Sequence, residues 1–330
     1  MEKVVRTMVK KFTPFAVISS LVLSLFVVPT FASSEKTLDI DIGDNYEVKK
    51  FEDGRISPVS FAEELNERQL DKILREMGFS KGEIADMGIT LKQRLVSDGG
   101  KRVKTTPVNA TYRVGDGENE VTFEGDSIEE IKEQLKSEKK SNKNIDLFST
   151  GWDQEDDVWH GKTYVTWAGL TGTGKEFKYN FYVEFEWDLP PMQNLTDRFA
   201  LYWGDEGTKY ASGDWANVQA LVPDDHYGGG KWLTVPVESD ETNLEGTDWS
   251  FEQGDINTAY EIRGTGHEEI RIPVSKTGET FTYAGAYSHP WWTNDIQISF
   301  GPAGITFSDD AGDKWTWDES FEIGDDRPNT

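Results

Sequence analysis

The stretch Phe177-Lys178-Tyr179-Asn180-Phe181-Tyr182-Val183-Glu184-Phe185-Glu186-Trp187-Asp188 alternates without a break. Successive side chains of a strand point to opposite faces. Phe177, Tyr179, Phe181, Val183, Phe185 and Trp187 therefore share one face, and Lys178, Asn180, Tyr182, Glu184, Glu186 and Asp188 share the other. The pattern predicts a strand that is buried on its apolar side and wet on its polar side. Shorter copies follow at Phe199-Leu201-Trp203, Leu233-Val235-Val237, Ile270-Ile272-Val274, Phe281-Tyr283, Ile296-Ile298-Phe300, Ile305-Phe307 and Trp315-Trp317. Gly, Asp, Asn and Pro separate them, and no fixed-period repeat links them. Many short strands broken by turn residues predict an antiparallel sandwich or jelly roll over residues 151–330. All 12 tryptophans lie in that part.

Upstream the signals are helical. Ser60 with Glu63, Ser80 with Glu83, Thr90 with Gln93 and Ser127 with Glu130 have capping-box spacing, in which a hydroxyl accepts from an orphan backbone N–H at a helix start. Leu70, Ile73, Leu74 and Met77 form one apolar stripe, and Gly99-Gly100 stops the helix that carries Leu91 and Leu95. Leu38-Ile40-Ile42 and Val121-Phe123 alternate like strands. The fold class expected is α+β: a small, mainly helical domain over residues 33–136, a charged linker over 137–150, then the β domain.

Residues 1–32 read as a cleavable secretion signal. Lys3, Arg6, Lys10 and Lys11 precede an apolar run from Phe12 to Val28, and small residues at Thr30 and Ala32 mark the cut. No cysteine follows the cut, so lipid attachment there is excluded, and no later stretch is apolar enough to span a membrane. The expected location is extracellular. The absence of cysteine also excludes disulfides, thiol catalysis and zinc–thiolate sites. Net charge is −26, and from Gly151 onward 34 acidic residues face 11 basic ones. Such a field repels nucleic acid and draws in cations and basic partners.

Gly169-Leu170-Thr171-Gly172-Thr173-Gly174-Lys175 imitates a phosphate-binding loop, but Glu176 follows where Ser or Thr belongs, and a strand follows where a helix is needed. It reads as a hairpin turn between Tyr164–Trp167 and the long strand. The four histidines lack the spacing of a helix-borne zinc motif. A Ser–His–Asp arrangement stays open, since its members need not be neighbours in sequence. Glu184, Glu186 and Asp188 alternate on one strand face, roughly 6.6 Å apart. Retaining glycosidases hold two carboxyls about 5 to 5.5 Å apart. Asp309, Asp310 and Asp313 are the candidate calcium ligands, although no full calcium-loop pattern is present. Trp152 and Trp159 flank an acidic loop, and the adjacent Trp291 and Trp292 cannot both point inward from a strand. These four are the candidate ligand-binding rings.

The stretches Met77-Gly78-Phe79-Ser80 and Leu95-Val96-Ser97-Asp98-Gly99-Gly100, with Phe185-Glu186-Trp187-Asp188 and Leu195-Thr196-Asp197-Arg198-Phe199-Ala200, resemble uncharacterised secreted proteins of Gram-positive bacteria. That resemblance implies a compartment and no activity. The strand Glu184-x-Glu186-x-Asp188 is similar to the Glu-x-Asp-x-Glu strand of secreted glucanases of the lichenase and laminarinase type, with Glu at the centre and Asp at the end. Three functional readings result. The first is a secreted non-enzymatic protein that engages a carbohydrate, a basic partner or a surface. The second is a glycoside hydrolase using the strand carboxylates, and the third is a secreted toxin or pore-former.

Overall fold

The computed structural model describes residues 36–115, 119–141, 159–188, 190, 195–211, 213–224, 229–256, 258–292, 295–302 and 304–324. These residues belong to one compact unit, Lys36–Thr330. The proposed signal segment, Trp152 and the linker beyond Ser141 lie outside the described residues.

In chain order the elements are β1 (Thr37–Gly43), β2 (Tyr46–Phe51), α1 (Glu67–Met77), α2 (Lys81–Asp86), α3 (Ile89–Asp98), β3 (Lys101–Arg102), β4 (Thr106–Gly115), β5 (Val121–Gly125) and α4 (Ile128–Ser141). There follow β6 (Trp159–Leu170), β7 (Glu176–Trp187), β8 (Thr196–Tyr202), β9 (Thr208–Lys209), β10 (Trp215–Asp224), β11 (Gly229–Val235), β12 (Glu238–Thr242) and β13 (Gly246–Glu252). The last are β14 (Glu261–Pro273), β15 (Thr280–Pro290), β16 (Ile298–Gly301), β17 (Gly304–Phe307) and β18 (Gly312–Glu322).

Two large antiparallel sheets dominate. The first runs β11-β10-β14-β7-β6-β3, with β9 also pairing to β14, and the second runs β12-β13-β8-β15-β18-β4-β5. The segment before the linker thus supplies strands to both sheets as well as helices. The expected turn at 169–175 closes the β6–β7 hairpin: Thr171 N–H donates to Glu176 O at 2.9 Å, and Gly174 takes φ +67°.

The inner faces of the sheets meet through aromatic rings. All six apolar residues of β7, from Phe177 to Trp187, are at most 2% exposed. Phe181 meets Phe281 and Tyr283 of β15 with centroids 5.8 and 5.0 Å apart. Phe185 meets Phe199 of β8 at 5.1 Å and stacks on Phe251 of β13 at 5.5 Å. Gly264 of β14 permits this, since a Cβ there would run into the Phe185 ring. At these separations the pairs contribute about 0.5–1.5 kcal/mol each beyond the area they bury.

The outer face of β7 departs from expectation. Asn180, Tyr182 and Glu184 are buried, not solvated. Helices α1–α3 and the β1–β2 hairpin form a second apolar cluster that includes Leu70, Ile73, Leu74 and Met77 together with Tyr164 and Tyr182 of the sheet. The helix signals explain this layer in part. Ser80 and Glu83 form the expected box at α2. At α1 the box is Asn66 with Gln69, and Ser60 plays no part in it. Thr90 lies inside α3, whose N-cap is Gly88, and its hydroxyl meets Gln219 Oε1 at 2.9 Å. Ser127 Oγ accepts from Glu130 N–H at 3.3 Å at the start of α4. Gly99 ends α3, as its sequence position suggests.

Candidate functional site

The carboxylates singled out on β7 have three different surroundings. Glu184 is 5% exposed, and its Oε1 accepts the Gly88 N–H at 2.9 Å. Gly88 is the N-cap of α3 and offers no side-chain cap of its own. Glu184 thus pins the start of α3 to the sheet. A side chain at 88 would be crowded, because a Cβ there would sit 3.0 Å from Glu184 Oε1. Burial pushes the Glu184 carboxyl up to about 7, against the opposing pull of the Gly88 N–H. Glu186 accepts from Arg263 Nη2 at 2.9 Å, and the Arg263 Nε also meets Glu261. Asp188 is largely exposed, with His160 Nε2 3.9 Å away.

Oxygens of Glu186, Asp188 and Glu261 lie within 4.8 Å of one another, the arrangement closest to a cation site among the described residues. Arg263 already supplies a positive charge to two of the three. The calcium ligands expected at Asp309, Asp310 and Asp313 do not come together in this way. Asp313 turns inward, where it accepts from Tyr112 Oη at 2.5 Å and Trp291 Nε1 at 2.7 Å. Asp309 is exposed, and Asp310 accepts from Ser308 Oγ at 2.8 Å. The physical reason is register: Asp313 begins the inward-facing run of β18, whereas 309 and 310 precede the strand.

The candidate binding rings also divide. Trp159 is fully buried, stacked on Trp315 with centroids 4.6 Å apart, so it is a core residue and not an exposed platform. Trp291 is 6% exposed and donates to Asp313, while its neighbour Trp292 is 57% exposed. Adjacent residues do face opposite ways here, but only one ring of the pair meets water.

Three clefts adjoin one another along the edge of the helical layer. The first, of about 280 Å³, lies between α2, the start of α4 and strands β4, β6 and β18, and it includes Tyr164, Trp317, Asp318 and Glu319. The second, of about 220 Å³, is walled by Asp86, His160, Lys162, Glu184 and Glu186. The third, of about 70 Å³, runs from Glu184 past Arg263 to Ile89 and Trp232. Asp86 and Lys162 line both of the first two and Glu184 lines both of the last two, so the three clefts are neighbours in one row, here called the furrow. A Lys162–Asp86 ion pair at 2.8 Å lies at the first junction.

Within the furrow Arg102 is paired to Glu83 at 2.6 Å. The Tyr164 hydroxyl is buried and has no hydrogen-bond partner among the described residues. Its pKa is raised first by burial and then by the carboxylates of Glu184, Asp86, Glu83 and Glu319, which belong to both sides of the junction. Of the residues in this furrow, Glu184 and Glu186 stand out in the sequence as alternate acids of one strand, whereas Tyr164, Asp86, Lys162, Asp318 and Glu319 do not. Those five come from three separate elements, and no spacing within one segment announces them.

A second polar cluster is wholly internal. Asp197 accepts from Tyr287 Oη and from Gln253 Nε2, and its Oδ1 lies 2.8 Å from His289 Nδ1. Burial opposes charge on His289, but Asp197 outweighs it and raises the imidazole pKa. Each of these four side chains is at most 2% exposed, so this His–Asp pair has no access to a substrate.

No family model matches the chain, and no relative was found among curated proteins. Among solved structures, the collagen binding subdomain of the Enterococcus faecalis surface protein ACE is 10% identical, with a TM-score of 0.26 over 50% of this chain and 97% of that one. The Clostridium perfringens NetB toxin in its membrane inserted form is 8% identical, with a TM-score of 0.24 over 51% of this chain and 98% of that one. The Clostridium perfringens delta-toxin is 7% identical, with a TM-score of 0.24 over 51% of this chain and 92% of that one. Likenesses this slight carry no argument about what the chain does. Among the described residues no helix is long and apolar enough to cross a membrane.

Proposed function

We propose that this is a secreted, non-enzymatic binding protein that holds an extended extracellular partner along the furrow between its helical layer and its sheets. The observation that carries this reading is the row of three neighbouring clefts that share Asp86, Lys162 and Glu184 in their walls. A row of clefts over several strands suits a chain-like ligand better than a compact one. Polar walls with a few aromatic side chains suit recognition of groups that both donate and accept hydrogen bonds. The leading sequence at 1–32 supports secretion.

The test is a binding screen of the chain from Ser33 onward against arrayed glycans and extracellular protein fragments, run beside Glu129→Trp. Glu129 is exposed on the first turn of α4 and lines the first cleft. An indole there fills the furrow without entering the core. Hits lost in Glu129→Trp support the reading, and hits that persist unchanged end it.

Glycoside hydrolysis keeps one observation in its favour, a Glu184 carboxyl that titrates near neutrality beside Glu186. Its geometry works against it. Glu184 is committed to the Gly88 N–H, Glu186 is committed to Arg263, and no Trp, Tyr or Phe among the described residues lines that cleft. Unchanged release of reducing sugar by Glu184→Gln would remove Glu184 from any such role. The pore-forming reading needs strands with a free polar face, and β7 is covered on both faces at its centre.

A further inference from the structure

The first cleft of the furrow is more specific than the rest. Four of its carboxylates, Asp126, Glu129, Asp318 and Glu319, have no ion-pair partner among the described residues, whereas its two cations, Arg102 and Lys162, are each already engaged by an acid. Among the described residues Asp318 accepts from Asn109 Nδ2 at 3.2 Å, and Glu319 accepts from Tyr283 Oη at 2.7 Å. Neither contact brings positive charge. The same cleft is lined by Trp317, 4% exposed, and Tyr164, 7% exposed, and the Tyr164 hydroxyl has no hydrogen-bond partner among the described residues. Unpaired polar groups at that depth cost free energy unless something arrives to meet them.

The chemistry of the missing partner follows from what is already there. Carboxylates without counter-charge call for a cation. The Tyr164 oxygen lies in the field of several carboxylates, so it stays protonated and offers lone pairs to an incoming N–H. The π-faces of both rings favour positive charge. A peptide bearing lysine or arginine meets these at once, because its side chain supplies both the charge and the N–H donors, which a bare metal ion lacks. The acid-rich second half of the chain would steer such a segment toward the cleft.

We infer that the cleft between Trp317, Tyr164 and the Asp318–Glu319 pair binds a basic side chain of an extended peptide, an assignment that rests on the furrow being the binding site. The probes are acetylated, amidated hexalysine, the uncharged oligosaccharide cellohexaose and calcium chloride, each titrated by calorimetry at an ionic strength of about 0.15 M. Hexalysine should bind, and Asp318→Asn/Glu319→Gln should weaken it by about tenfold or more. Because those two acids also hold Asn109 and Tyr283, a second variant, Asp126→Asn/Glu129→Gln, removes the same charge from the exposed helix start and should weaken binding in the same direction. Glu47→Gln/Glu252→Gln removes equal charge at exposed positions outside the cleft and should leave the affinity unchanged.

Equal weakening by the outside pair would mean general charge attraction and would overturn the assignment. Binding of cellohexaose or calcium without hexalysine would overturn it too. If that cellohexaose binding were lost in Glu129→Trp, the furrow would stand and only its ligand class would fall. Hexalysine binding that survives Glu129→Trp would overturn both.

Discussion

The two faces of β7 come from one alternating stretch, yet they are stabilised in opposite ways. The inner face is a dry row of rings: Phe185 alone touches Phe199, Phe251 and Tyr287 across the two sheets. The outer face is polar and also buried, because α1–α3 lie on it. There Tyr182 Oη donates to Asp98 at 3.0 Å, and Glu184 holds the Gly88 N–H. His267 packs on Tyr182 with ring centroids 4.8 Å apart. Burial and the nearby Arg94 hold its pKa well below the usual imidazole range. Period-2 patterning thus assigns side chains to faces but does not say which faces meet water. Burying a polar group is costly unless it finds a partner, and the end and the start of α3 supply partners to Tyr182 and Glu184 here.

Removing the largest inner contact should break this comparison most strongly. Phe185→Ala deletes a fully buried ring and leaves a cavity, so urea unfolding should show a loss of about 3–5 kcal/mol. A loss below 1 kcal/mol would mean that the sheets do not interlock as described.

The outer face should respond instead to pH. Glu184 titrates at about 7 in the folded protein against 4.5 for an unperturbed glutamate. The folded state therefore holds the proton more tightly than the unfolded chain. The stability this brings is complete below about pH 4.5 and is lost as pH rises through about 7, to a total of roughly 3 kcal/mol. Glu268 shifts in the same direction, also to about 7, so part of the fall remains when Glu184 is replaced. Urea midpoints measured from pH 5 to 8 should fall less steeply for Glu184→Gln than for the unaltered protein. Parallel curves would show that the outer-face carboxyl is not buried.

Within the helical layer, Ser80→Ala removes the cap of α2 and should cost about 1 kcal/mol in the same assay. The smallest effect belongs to Trp292→Ala, within about 0.5 kcal/mol, because the ring is largely exposed. Its neighbour Trp291, buried against Asp313, should respond several-fold more strongly.

The legible parts of the chain were those where one segment carries its own pattern. The alternation of 177–187, the stripe Leu70–Met77, the Ser80 box and the Gly99 stop all appear where the sequence places them. Strands β4, β10 and β13 were not anticipated. Thr106–Gly115 and Trp215–Asp224 mix small, polar and aromatic residues, and their pairing partners define them more than their own pattern does. For the site, Glu184 and Glu186 were visible as alternate acids, but their roles were not. Whether such an acid faces solvent, a helix amide or an arginine depends on residues about 80 to 100 positions away.

By itself the sequence determined that β7 must bury six apolar side chains on one face, that three short helices precede the sheets, and that the chain is acidic and free of cysteine. Only the tertiary structure decided that the helices lie on the polar side of β7, that Trp159 and Trp291 are core rings, and that Asp86, Tyr164, Asp318 and Glu319 share one furrow. Periodicity and capping act over a few residues along the chain, whereas burial of a polar face and convergence of charges act between segments that meet only when the sheets close.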